Sequence, residues 1–283
     1  MASLFTSATY ERSIATVRRG LNAPEGLDFL NDSGAVIGWI DQSKYATNSR
    51  KTFYIAIVST LKKNNLFPVA YQAYKDKMDT LNHLVVTKVK AQELTEAEKS
   101  KYMEWPEVLE CLEKIRLAAH DPQTFQEYLI ICLYTMMRPI RLDYAEMKIV
   151  SEEPAEHGSN YLVWPLVGKP YIFLTDYKTY KKWGAQRTTL PPALCDVIQE
   201  WRSMVDDEYL LIGANGLPMK EWELGQTVIK VFEKHSGKSV GVNILRHSHS
   251  SWERRFELSF KDSEELARQM GHSQAMSALY RRI

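Results

Sequence analysis

The stretch NYLVWPLVGKPYIFLTDYKTYKKWGAQRTTL, residues 160–190, interrupts an otherwise helical pattern and decides the fold class. Within it YLVW, YIFL and RTTL are short segments rich in β-branched and aromatic side chains, separated by Gly-Lys-Pro and by a polar stretch. They predict a small antiparallel sheet. After Pro191 and Pro192 the apolar spacing becomes helical again through Trp201, and the C-terminal third stays helical. Before the sheet, Asp121 and Pro122 supply an N-cap and a proline at the first helical position. The helix they start has Phe125, Leu129, Cys132, Leu133 and Met136 on its core face, and Pro139 is expected to end it. Glu107 to Ala119 reads as an amphipathic helix, with Val108, Leu112, Ile115 and Ala119 on one side and Glu110, Glu113 and Lys114 on the other. Residues 1–90 are helical in spacing throughout, best seen where Phe53, Ile57 and Leu61 form a stripe framed by Arg50, Lys51, Lys62 and Lys63. The polar, highly charged segment 91–104 separates the two regions. The fold expected is mainly α with a small antiparallel β-sheet, in two domains: 1–90, a linker at 91–104, and 105–283.

The 283 residues are 45% apolar and 25% charged, a globular composition that excludes a disordered or fibrous chain. The longest apolar stretch, Tyr128 to Met137, broken only by Thr135, is far below the roughly 20 residues of a membrane-spanning helix. With no basic-then-apolar leader at the start, the expectation is a soluble intracellular protein without a membrane partner. Cys111, Cys132 and Cys195 are odd in number and far apart, which predicts reduced core thiols rather than disulfides or a zinc site. Net charge is +1, unevenly spread: residues 1–90 hold 12 Lys or Arg against 7 Asp or Glu, residues 91–150 hold 7 against 11, and the remainder 17 against 17. A positive N-terminal region suits a module that meets phosphates, although a solvated helical surface gives the same bias.

Four segments carry residues suited to chemistry. Arg138-Pro-Ile-Arg141-Leu-Asp143-Tyr144 follows a helix that is apolar on nearly every side; a guanidinium there requires an anion, either a ligand or an internal carboxylate such as Asp143. Lys178, within Asp176-Tyr-Lys-Thr, lies on the turn after the second strand, where a lysine is either solvated or placed in a groove as a proton donor. Val242-Asn243-Ile-Leu-Arg246-His247-Ser-His249 opens a helix with Asn243 as the expected N-cap and Arg246 on its first turn, a pattern able to hold an anion. His247 and His249, two apart, cannot share a helix face and form no metal pair. In the fourth segment, Ser263 caps a helix that Gly271 ends, presenting His272 on a corner, and Tyr280 follows eight residues later.

Taken in order, these residues resemble the tyrosine recombinase, or phage-integrase, family. The match rests on Tyr134-Thr135 before the first arginine, Lys178 within Tyr-Lys-Thr, Asn243-Ile-Leu-Arg246-His247, Met270-Gly271-His272-Ser273, and Tyr280, over residues 105–283. Residues 1–90 resemble the family's core-binding domain in size and helical type. Three departures stand out. Asn243 replaces the usual first histidine of His-x-x-Arg; Arg138 and Arg141 both fall where the first arginine belongs; only Arg281, Arg282 and Ile283 follow Tyr280. Pro-x-Arg-x-Asp-Tyr is similar to the form in integrases of large DNA viruses and related mobile elements, which favours Arg141.

The resemblance implies an enzyme that cleaves and rejoins double-stranded DNA through a 3′-phosphotyrosyl link, for integration or excision of a viral or mobile element. Tyr280 is the implied nucleophile, Arg141 and Arg246 the phosphate clamp, Asn243 and His272 its assistants, Lys178 the proton donor, and His247 a residue that positions Tyr280 or takes its proton. No cofactor, metal or ATP is implied, in keeping with a sequence that has no P-loop and no carboxylate cluster suited to magnesium. A homotetramer on DNA, a monomer when free, and action on chromosomal or viral DNA (in the nucleus of a eukaryotic host) are further implications. The alternatives are a type IB topoisomerase-like nicking-closing enzyme and a non-catalytic DNA-binding protein of the same fold.

Overall fold

The computed structural model describes residues 4–91, 94, 96–155, 158–253, 264 and 268–270. The chain divides into two compact units, Met1–Ala91 and Gln92–Ile283. The first is helical among its described residues: α1 (Leu4–Gly20), α2 (Ser33–Gln42), α3 (Thr47–Asn64) and α4 (Pro68–Ala91), with a 3₁₀ turn at Asp28–Asn31. The stripe predicted on α3 is buried, with Ile57 and Leu61 packing against Val17, Leu30, Ile40 and Tyr74. Asp32 caps α2 by accepting a hydrogen bond from the Ala35 amide at 3.0 Å. At the edge of this core, Asp41 takes the Tyr54 hydroxyl at 3.0 Å and the Lys77 ammonium at 2.6 Å.

The second unit contains α5 (Glu96–Lys99), α6 (Trp105–Leu117), α7 (Pro122–Thr135), β1 (Lys148–Val150), β2 (Asn160–Val163), β3 (Tyr171–Leu174), α8 (Tyr180–Trp183), β4 (Gln186–Thr189), α9 (Pro192–Met204), α10 (Glu221–Ser236) and α11 (Val242–Glu253). The segment read as a linker holds the single turn α5, and Met103 within it is buried in this unit's core. Asp121 caps α7 as its residue type predicts, its Oδ1 accepting from the amides of Gln123 and Thr124. That helix stops at Thr135, with Met136 as its C-cap, three residues before Pro139. Phe125, Leu129, Cys132 and Leu133 are buried beside Val108, Leu112 and Ile115 of α6.

The sheet has the order β1-β2-β3-β4. The three segments read from the sequence are β2, β3 and β4, paired antiparallel, Tyr161 opposite Phe173 and Ile172 opposite Thr188. A fourth strand, β1, is added parallel to β2, so the sheet is mixed. β1 is three residues long and half-buried along its length, too short to show a period. No described helix is long and apolar enough to cross a membrane. Of the cysteines, Cys111 and Cys132 are buried and Cys195 half-buried, all as free thiols.

Candidate active site

The segment after α7 is held by two buried tyrosines. The Tyr134 hydroxyl donates to the Arg141 carbonyl at 2.8 Å, and the Tyr144 hydroxyl donates back to the Leu133 carbonyl at 3.0 Å. Their rings meet edge to face, 5.2 Å between centroids. The Arg141 amide donates to Asp143 Oδ2 at 3.2 Å, closing a local turn. Main-chain bonds therefore fix this loop and leave the guanidinium of Arg141 for other use.

Lys178 sits on the turn after β3, between two anchors. On its N-terminal side Thr175 and Asp176 bond to the side chain of Asn160, and on the other the buried Tyr177 donates its hydroxyl to the Gly184 carbonyl at 2.7 Å. Gly184 has φ +67°, a left-handed conformation that a side chain would strain. With its neighbours pinned, Lys178 is exposed on a fixed turn.

Arg141 and Lys178 line one cleft of about 380 Å³, together with Leu142, Asp143, Asp176, Tyr177 and Glu221. Burial raises the Asp143 pKa above the usual carboxylate range, and the charge of Arg141, its amide and the charge of Arg246 all oppose that rise. Asp143, which the sequence offered as a partner for the guanidinium, instead takes the Arg141 main-chain amide, and the charges of Arg141 and Arg246 act on it from nearby.

Arg246, on α11, is fully buried; its Nη2 donates to the Met270 carbonyl at 3.0 Å. It does not line the cleft, and it reaches the cleft's electrostatics through Asp143. Asn243 is exposed in the first turn of α11. The cap lies earlier than expected, because the Gly241 carbonyl accepts from the amides of Ile244 and Leu245, leaving Asn243 inside the helix rather than at its N-cap. His247, also on α11, is half-buried.

Arg138 points elsewhere. It lines a different cleft, with Met136, Met137, Thr188 and Gln269, and bonds to Glu253 at 3.2 Å and to the Gln269 side chain. Gln186 donates to the Arg268 carbonyl at 3.3 Å, so residues 268–270 are tied to α7's end, β4 and α11 at once. Beside Arg138, His249 lies edge-on to Trp105 at 4.6 Å and 3.5 Å from Glu253. Burial first, then the Arg138 charge, push its pKa down to about 4, so the imidazole is neutral at pH 7. His272 and Tyr280 lie outside the described residues, as do Ser263 and Gly271, the expected ends of the helix before them. Among the described residues no cluster of three or more His, Cys, Asp or Glu could hold a metal ion.

Of the sequence-selected residues, the structure brings together Arg141 and Lys178 in one cleft and Arg246 behind it, and it separates Arg138 from them. Two participants had no sequence signal: Glu221, which enters the cleft from the start of α10, and Asn160, whose bonds are all to distant backbone.

No protein-family model matches the chain, and no curated protein matches it. Solved structures do. A lambda integrase(75-356) dimer bound to a COC′ core site aligns with TM-score 0.59 at 15% identity, over 99% of this chain and 89% of that one. A further lambda integrase dimer bound to a COC′ core site gives TM-score 0.57 at 15% identity, over 99% and 72% of the two chains. The XerH site-specific recombinase bound to difH substrate gives TM-score 0.51 at 13% identity, over 88% and 66%. The chain has the fold of these integrases and site-specific recombinases, helical with a small sheet.

Proposed function

We propose that this protein is a site-specific DNA recombinase that cleaves and rejoins double-stranded DNA through a 3′-phosphotyrosyl intermediate. The observation that carries the reading is the cleft that Arg141, Lys178 and Asp143 share, with Arg246 behind it, in a chain with the integrase fold. Its neighbours on DNA core sites and on difH supply the substrate class. Residues 1–90 serve as the core-binding domain and 105–283 as the catalytic domain.

A phosphodiester repels nucleophiles, and its pentacoordinate transition state gathers more negative charge on the non-bridging oxygens. Arg141 offers forked donors to those oxygens. Arg246 adds positive charge from behind Asp143, and Asn243 and His272 add further donors. Tyr280 attacks phosphorus as its proton leaves, helped by His247; the bond to the 5′ oxygen breaks, and Lys178 gives that oxygen a proton. The phosphotyrosyl link conserves the free energy of the broken bond. A 5′-hydroxyl from another strand then reverses the steps, with no nucleotide consumed.

Two strand pairs exchanged between two duplexes require four such sites, hence a homotetramer on DNA that is monomeric when free. The Pro-x-Arg-x-Asp-Tyr form of the arginine segment supports integration or excision of a viral or mobile element.

The test is covalent trapping on a nicked suicide duplex of element-end sequence, with wild type beside Tyr280→Phe. A protein–DNA band on a denaturing gel, absent from the variant, is the expected result. Binding in a gel shift without such a band would overturn the enzymatic reading in favour of a DNA-binding protein. A paired-site exchange assay separates recombinase from topoisomerase-like nicking and closing.

A further inference from the structure

Asn160 opens β2 and is only 8% exposed. Its Nδ2 donates to the Asp143 carbonyl at 3.0 Å and to the Asp176 carbonyl at 2.8 Å. Its Oδ1 accepts from the Thr175 amide at 3.1 Å and the Asp176 amide at 3.0 Å. An amide side chain has two donor hydrogens and two acceptor lone pairs, so its full capacity is used, and every partner is main chain.

The β2–β3 ladder ends at the pair Asn160 and Leu174. Beyond it the Asn160 side chain stands in for the next strand residue, bonding the backbone of Thr175 and Asp176 as a ladder would. Its remaining hydrogen reaches across to Asp143, whose carboxylate holds the Arg141 amide. One buried side chain thus links the main chain two residues after Arg141 to the main chain two residues before Lys178.

We infer that Asn160 is a positioning residue that fixes the Lys178 turn against the Arg141 loop, so that a phosphate held by Arg141 has its leaving oxygen within reach of the Lys178 ammonium. This inference rests on the recombinase reading of the cleft. Aspartate at this position is nearly isosteric but has no hydrogens to donate, and it sets a negative charge against the carbonyl oxygens of Asp143 and Asp176. The link between loop and turn is lost while the sheet itself keeps its pairing.

The experiment compares two suicide duplexes, one ordinary and one with sulfur in place of the 5′-bridging oxygen at the scissile phosphate. A thiol has a pKa of about 8.5 and leaves without being protonated, so sulfur repairs a fault in proton delivery and no other. The expected result is that Asn160→Asp slows single-turnover cleavage of the oxygen duplex about 10²-fold. On the sulfur duplex it stays within about tenfold of wild type. Lys178→Ala should share that rescue, and Arg141→Ala should be slow on both duplexes. Misfolded protein lowers the amplitude of cleavage on both duplexes and not the rate constant, so the rate constants report the folded fraction alone; Asn160→Ser, which keeps a hydroxyl donor but loses the acceptor, should show the same preferential rescue by sulfur. Equal slowing of Asn160→Asp on the two duplexes, or none on either, overturns the inference while leaving the recombinase reading intact. A wild type that cleaves neither duplex overturns both.

Discussion

Arg138 and Arg141 lie three residues apart and fit the same motif, yet they have different surroundings, and a pair of substitutions separates the roles proposed for them. Arg138→Ala removes an ion pair to Glu253 at 3.2 Å, with side chains 32% and 21% exposed, and a charged hydrogen bond to Gln269. Hydrogen bonds to charged groups contribute about 1.5–3 kcal/mol, and the partial exposure of this pair places the loss near the middle, at about 2 kcal/mol. For a unit of this size that lowers Tm by about 4–8 °C. Arg141→Ala keeps both bonds that hold its loop, because the main-chain carbonyl accepts from Tyr134 and the main-chain amide donates to Asp143. Its Tm should therefore move by no more than about 2–4 °C, equivalent to about 1 kcal/mol. On the proposed mechanism it loses donors to the transition-state oxygens, a deficit of about 10²–10³ in cleavage rate. Differential scanning fluorimetry and single-turnover trapping on the suicide duplex read the two quantities. An Arg138→Ala protein of full stability that fails to cleave, beside an active Arg141→Ala protein, would refute the assignment.

Three further outcomes follow from the same geometry. His249 titrates near 4 in the folded protein against about 6.5 unfolded, so the unfolded chain takes up the proton first as pH falls. Stability is whole above pH 6.5 and declines toward pH 4 by up to about 3 kcal/mol; urea midpoints measured across that window should show the slope, and His249→Phe should flatten it. Tyr134→Phe deletes the donor to the Arg141 carbonyl and should cost about 1–2 kcal/mol in urea unfolding together with a several-fold fall in cleavage, whereas unchanged stability would mean the bond contributes nothing. Glu221→Gln removes a negative charge from the cleft and should tighten DNA binding about two- to fivefold in a low-salt gel shift, an effect that disappears near 1 M salt.

Much of the fold was legible because it depends on local pattern. The α3 stripe of Phe53, Ile57 and Leu61 is buried, Asp121 caps α7, and the three aromatic and β-branched segments are strands in antiparallel register. What escaped depends on contacts distant in sequence. β1 exists because β2 is beside it, and its three residues have no pattern of their own. α7 ends at Thr135 rather than at Pro139, and the bond from the Tyr134 hydroxyl in its last turn to the Arg141 carbonyl, seven residues on, is one that no helical period announces. The two arginines are equivalent by spacing; they differ once Glu253 and Gln269 occupy one and the Lys178 turn faces the other. Asn160 gave no signal, since an asparagine between a glycine-serine turn and a strand is ordinary punctuation until its partners at residues 143, 175 and 176 are known.

The charge around the cleft bears on how DNA would be held. Arg141 and Lys178 contribute two positive charges, and Asp143, Asp176 and Glu221 contribute three negative ones. Among the described residues, the buried Arg246 behind Asp143 brings the set to balance, not to excess. Residues 151–283 as a whole are likewise even, at 17 basic against 17 acidic. On the proposed reading a phosphodiester is therefore not drawn to this cleft by a broad positive field; it would gain there only when its oxygens meet particular donors at hydrogen-bonding distance. Salt-dependent attraction would then come from a stretch with a basic surplus, and residues 1–90 hold 12 basic against 7 acidic side chains. On the proposed reading the labour is divided: the N-terminal unit supplies affinity with little dependence on exact placement, and the cleft supplies placement with little net affinity. A near-neutral cleft also discriminates more sharply. A misplaced phosphate meets carboxylates as readily as cations, so the donors reward only the geometry that the Tyr134 and Asn160 bonds maintain.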